Sequence, residues 1–166
     1  MERRAMRGRI KLGLCLESGQ ALIETALSSL FLMLLLLGAV ELGMVAYAAI
    51  EVANSAKAAA QYAAMNGGAW TATGLDRVGM LAAAQADAGN LVSNISFQTA
   101  PTYACRCTGA GTADCATSPP TGCTASHLLV TITVRTQAIY RPLIQLPGSG
   151  FTTVTLHGAA QQEVLQ

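Results

Sequence analysis

Charge is scarce in this sequence. Only 11% of its 166 residues are Asp, Glu, Lys or Arg, while 52% are hydrophobic. The mean hydropathy is +0.42. That balance excludes an ordinary water-soluble domain, and the chain is too short for a protein of many membrane spans. One spanning helix plus one small domain fits best. Aromatics make up only 5% of the chain. None stands among the basic residues at the start, so the usual stacking surface for nucleic acid is missing. Proline is missing from the long N-terminal apolar run, so nothing there breaks a helix. No Cys-x-x-Cys occurs, which argues against thiol redox catalysis. Only two histidines are present, His127 and His157, both in strand-like surroundings. No nucleophile, base and orienting group gather at recognisable spacing, so no enzyme, small-molecule substrate or cofactor is expected.

The charges that are there lie unevenly. Arg3, Arg4, Arg7, Arg9 and Lys11 face only Glu2 and Glu17 in the first nineteen residues, a net of +3. The remainder is net negative. A basic flank ahead of an apolar run holds that end in the cytoplasm and sends the C-terminal part across the membrane. The cysteines divide in the same way. Cys15 lies before the run, and Cys105, Cys107, Cys115 and Cys123 lie beyond it, where disulfides persist.

The central stretch is Ser18-Gly19-Gln20-Ala21-Leu22-Ile23-Glu24, followed by Leu-, Ala- and Met-rich sequence to about Ile50. A conventional secretory signal would use Ala46-Tyr47-Ala48 for cleavage, but the apolar run before it is too long and Glu41 intervenes. A lipoprotein signal would place its cysteine after the apolar core, and Cys15 precedes it. An uncleaved single-pass anchor fits. So does a prepilin-type leader, cut ahead of a helix that stays in the mature protein. That last possibility explains Glu24. A carboxylate in a spanning helix costs about 2.5 to 3.5 kcal/mol at the centre and less near the ends. Cleavage between Gly19 and Gln20 creates an α-amine one helical turn away. In a bundle of subunits, that amine reaches the Glu24 carboxylate of a neighbour.

These residues resemble the TadE-like minor pilins, or pseudopilins, of the tight-adherence (Flp) pilus system. Gly19 to Glu24 is similar to the family's processing site, with Glu at the fifth mature position. Gly38-Ala39-Val40-Glu41-Leu42-Gly43 resembles its second signature. Asn54-Ser55-Ala56 and Gln61-Tyr62-Ala63-Ala64 resemble the small-residue end of its long helix, and Tyr140-Arg141-Pro142-Leu143 a late turn. Thr25 and Leu30 depart from the aromatic and proline common there. The resemblance implies a non-enzymatic pilus-assembly protein of the bacterial inner membrane with its C-terminal domain in the periplasm. It implies a prepilin peptidase, TadF-like and TadG-like pseudopilins and the assembly machinery as partners, along with the lipid bilayer.

In chain order, residues 1–19 are the expected leader. Residues 20–66 form one long helix, from about Ala21 to about Met65, with the span at about 26–50. Ala53, Ala56, Ala60 and Ala63 make a small-residue stripe suited to close packing on the protein's own sheet or on a neighbouring subunit. Glu41 pairs with a partner helix or sits in water near the outer interface. Asn66-Gly67-Gly68 stops the helix. Residues 67–166 form the outer domain. A short helix spans Asp76 to about Ala88, with Leu75, Val78, Leu81 and Ala82 as its apolar face. Strands follow around Val92 to Phe97, then Tyr103 to Cys107 after Pro101, then His127 to Tyr140 and Phe151 to about Val164. The fold class is therefore α+β: a long N-terminal helix on a small antiparallel sheet, pilin-like. Four cysteines brace the Gly-, Thr- and Pro-rich loop 105–123. Cys105 and Cys107, alternate residues of one strand, are too far apart to pair with each other, and the small ring would be strained. The nested pairing, Cys105–Cys123 with Cys107–Cys115, is preferred over the crossed one. A zinc site, with His127 as a substitute ligand, is the rival, but its second pair is too widely spaced.

Overall fold

The computed structural model describes residues 14–65, 70–71, 74–88, 92–117, 120–124, 126–143 and 152–165, with side chains on the first helix from Gly19 onward. Most of the expected leader lies outside the described residues, as do the Asn66-Gly67-Gly68 stop and much of the turn before the last strand. Helix α1 runs over Leu14–Met65. It starts seven residues earlier than the sequence reading placed it. Leu14, Leu16, Glu17 and Gln20 are good helix formers, and Gly19 alone does not break a helix. The chain divides into two compact units, one ending at Leu42 and the other covering Gly43–Gln166.

In the first unit α1 stands bare. Residues 19–40 are exposed, including Leu22, Leu27, Phe31 and Leu35. Gly19–Met65 is a helix long and apolar enough to cross a membrane. Gln20 to Leu42 alone is about 34 Å of helix at about 1.5 Å per residue, one hydrocarbon thickness. The single N-terminal apolar helix therefore reads as a single-pass membrane anchor.

The second unit is α+β. After α1 come β1 (Trp70–Thr71) and β2 (Gly74–Leu75), a two-residue ladder, then α2 (Arg77–Asp87). Three longer strands follow the helix: β3 (Val92–Cys107), β6 (Leu128–Tyr140) and β7 (Val154–Leu165). Between β3 and β6 lie the short strands β4 (Ala113–Asp114) and β5 (Thr121–Gly122), inside the segment expected to be loop. The main sheet has the order β3-β6-β7, antiparallel throughout. Along β6, Val130, Ile132, Val134, Thr136 and Ala138 are buried while the residues between them are more open. This strict alternation makes β6 the centre of the sheet.

The two strands expected on either side of Pro101 are one bent strand. Its register against β6 slips between Ser93 and Ser96, between Phe97 and Thr99, and between Thr99 and Thr102. Asn94 takes the left-handed conformation, φ 57°, at the first slip. Pro101 falls inside the last. A proline lacks the ladder N–H, but an irregularity on an edge strand has no need of it there.

The C-terminal part of α1 packs on this sheet. Ala48, Val52, Ser55, Ala56, Ala59, Ala60 and Ala63 are buried. The small-residue stripe thus serves the protein's own core. Ala53 is only half-buried, because the contact line is turned slightly from the spacing first drawn. Small side chains let the helix backbone come close to the sheet. At Gly158 of β7, an added Cβ would collide with the main-chain carbonyl of Val52.

Candidate assembly surface on the long helix

The residues singled out by sequence near the start of α1 lie in the first unit. Gly19, Gln20 and Glu24 are exposed. Nothing lies within 4 Å of the position a Cβ would take at Gly19. Gln20 and Glu24 are four apart, so they share a face of α1 one turn from each other. Leu22 and Ile23 beside them are among the most open apolar side chains, with Leu22 72% exposed. The Thr25 hydroxyl donates to the carbonyl of Ala21 at 2.8 Å and is thereby satisfied within the helix. Gly38 and Gly43 also face open space. Between them Glu41 is half-buried, with Oε2 shielded from solvent.

A third carboxylate, not singled out by sequence, lies further along. Glu51 is 8% exposed, and its Oε2 is buried without a hydrogen-bond partner among the described residues. Its signal in the sequence is faint. It stands one residue past the apolar run, where a glutamate reads as the first solvated residue.

The far end of α1 is locked to α2. Tyr62 donates its hydroxyl to Asp76 Oδ2 at 3.1 Å. Asp76 caps α2, its Oδ1 accepting from the Gly79 N–H at 3.1 Å. The Gly79 bond, aided by the Tyr62 hydroxyl and the Val78 N–H, holds the Asp76 carboxyl below its ordinary value, against a smaller upward push from burial. The same Tyr62–Asp76 bond, with burial and the carboxylate charge, raises the Tyr62 phenol. A side chain at position 79 would strike the Tyr62 ring and the Asp76 carboxylate. This anchor turns α2 so that Met80 and Ala84 face the core. The apolar face read from sequence is corrected accordingly. Leu75 is buried, but Val78 is 81% exposed and Ala82 is on the open side.

The four outer cysteines form two disulfides, Cys105–Cys115 and Cys107–Cys123, with Cα–Cα distances of 5.8 and 5.5 Å. This is the crossed pairing, not the nested one expected. The reason is the path of the chain. After Cys107 it doubles back, and β4 brings Cys115 beside the earlier residue, Cys105. The β4–β5 turn then returns it, and the Cys123 N–H donates to the Thr112 carbonyl at 3.3 Å, next to Cys107. With all four sulfurs bridged, none is a thiolate for zinc. Among the described residues no group of three or more His, Cys, Asp or Glu side chains gathers. His127 and His157 stand apart: His127 immediately precedes β6, and His157 on β7 pairs with Gln137, ten positions further along β6.

No curated protein and no solved structure matches the chain. A family model, described as TadE-like protein, matches residues 19–61. The part of α1 that carries Gly19, Glu24, Glu41 and Glu51 is therefore similar to TadE-like proteins.

Proposed function

We propose that this protein is a non-enzymatic pseudopilin that supports assembly of a Flp-type adhesive pilus. A prepilin peptidase cuts it between Gly19 and Gln20 at the cytoplasmic face of the inner membrane. The outer unit, residues 43–166, then faces the periplasm. The observation that carries this reading is the family match, whose first residue is Gly19. The exposure of Gly19, Gln20 and Glu24 supports it, since neither a peptidase nor a neighbouring subunit is obstructed there. Gly19 is also the residue of lowest helix propensity in that turn, by about 1 kcal/mol against alanine, so the helix unwinds most cheaply at the bond to be cut. The freed amine of Gln20 pairs with Glu24 of an adjacent subunit, cancelling two charges and setting axial register. Glu41 makes a second polar contact within the bundle. TadF-like and TadG-like pseudopilins are the adjacent subunits.

N-terminal sequencing of membrane-extracted protein tests the reading. A start at Gln20 is expected. A start at Met1 would leave an uncleaved, membrane-anchored binding or sensor domain, and a start near Ala49 would mean conventional secretion. Glu24→Ala should be cut as efficiently as the parent yet fail to co-assemble with partner pseudopilins.

A further inference from the structure

The chain between β3 and β6 is held differently from the rest of the outer unit. Among the described residues of 108–127, only Pro120 and Cys123 are buried. Residues 108–112 are all exposed, as are Thr117, Thr121 and Thr124. The hydrogen bonds found there close largely within the segment. The Cys123 N–H donates to the Thr112 carbonyl, the Ser126 hydroxyl to the Ala110 carbonyl at 3.1 Å, and the Thr117 hydroxyl to the Asp114 carbonyl at 3.3 Å. Strands β4 and β5 pair over two residues each. Toward the sheet, the Tyr103 hydroxyl donates to the Cys115 carbonyl at 3.0 Å, and Ala113 and Cys123 touch the core. The strongest ties are covalent: Cys105–Cys115 and Cys107–Cys123 fasten the segment to β3. An exposed stretch rich in glycine and threonine buries too little apolar surface to offset its conformational entropy, so it needs those ties to keep one shape.

The seat of α1 on the sheet has a different basis and a different place. It rests on the hydroxyls of Thr136 and Ser55, both donating to the Val52 carbonyl, and on close approach at Gly158. The bridges attach at Cys105 and Cys107, whose β6 partners are Val130 and Leu128. Thr136 stands eight positions beyond Leu128 along β6, about 26 Å at about 3.3 Å per residue. One end of the sheet therefore carries the bridges, and the helix is seated well away from them. A cysteine pair stays open in a reducing compartment and closes in an oxidising one.

We propose that residues 108–127 are a redox-dependent segment: the two bridges give it its shape, and opening them releases it while α1 stays seated on the β3-β6-β7 sheet. Each bridge closes by thiol–disulfide exchange. The cysteine pair gives up two protons and two electrons to an incoming disulfide, which leaves as two thiols. The surface at this end of the sheet is therefore presented only once the outer unit has reached an oxidising compartment. The inference goes beyond the proposed function and does not require cleavage after Gly19.

Hydrogen exchange of the full-length chain in detergent micelles, with and without a phosphine reductant, tests it. Alkylation of the freed thiols, read by mass, gives the extent of opening. With both bridges open, peptides covering residues 108–117 and 120–124 should exchange at least about tenfold faster. Peptides covering residues 48–63 of α1 and 130–138 of β6 should change by less than about threefold. Oxidised glutathione, added after the reductant is removed, should restore slow exchange and the Cys105–Cys115 and Cys107–Cys123 bridges. The proposal is overturned if the segment stays protected with its thiols free, if α1 and β6 lose protection along with it, or if neither bridge opens until α1 has lost protection.

Discussion

The Thr136 hydroxyl of β6 donates to the main-chain carbonyl of Val52 in α1 at 3.0 Å, fixing the helix to the centre of the sheet. The Ser55 hydroxyl converges on the same carbonyl at 2.8 Å. Gly158 on β7 completes the seat by leaving room for that turn of helix. Gly158→Ala should destabilise the outer unit by about 1 to 3 kcal/mol, because the atom it meets is backbone and cannot swing aside. Thr136→Val should cost less, about 1 kcal/mol, since the Val52 carbonyl keeps other donors. Urea unfolding followed by circular dichroism would rank the two.

The Tyr62–Asp76 link predicts a pH dependence. The Asp76 carboxyl titrates below its unfolded value, so its contribution is present above pH 3.8 and lost as pH falls through the folded value. The Tyr62 phenol titrates above 10.0, so its contribution is present below that pH and lost as pH rises through the folded value. Asp76→Ala should therefore be less stable than the parent at neutral pH, with the difference shrinking in strong acid. Urea midpoints at several pH values would show it, and a gap that stays constant down to pH 2 would contradict the link.

The disulfides predict a peptide map and a ranking. Proteolysis without reduction should release fragments joining Cys105 to Cys115 and Cys107 to Cys123. The sequence separations are 10 and 16. Each bridge should contribute about 2 to 4 kcal/mol, and the longer loop about 0.4 kcal/mol more by the chain-entropy relation. Thermal midpoints of paired serine variants would check the order.

The one ion pair found among the described residues should matter little. Arg106 and Glu163 approach to 3.8 Å with side chains 70% and 57% exposed. Glu163→Gln should change stability by less than about 1 kcal/mol, and salt should not alter the result.

Much of this architecture is legible without coordinates. A run of apolar residues free of proline can only be a long helix. Strict alternation from Leu128 to Tyr140 can only be a strand with one covered face. The basic flank, Gly19 and Glu24 mark the candidate assembly segment by local chemistry, because a charge beside a span needs a reason wherever the chain folds. Asp76 at the head of α2 is a cap by residue type alone.

What composition and spacing left open are the choices made between distant segments. The face α2 buries depends on the Tyr62–Asp76 bond, which overrules the tidier apolar spacing of Val78 and Leu81. The cysteine pairing depends on two reversals of the chain around β4 and β5, and pattern counting does not encode the direction of a turn. Pro101 stays within a strand because the register slips there. Glu51 looks solvated in sequence and is buried in the fold. Local propensity and periodicity are carried by neighbours along the chain, so the sequence alone determined the elements and the anchor. Burial, register and crosslinks are relations between residues far apart in the chain, and only the packed fold decided them.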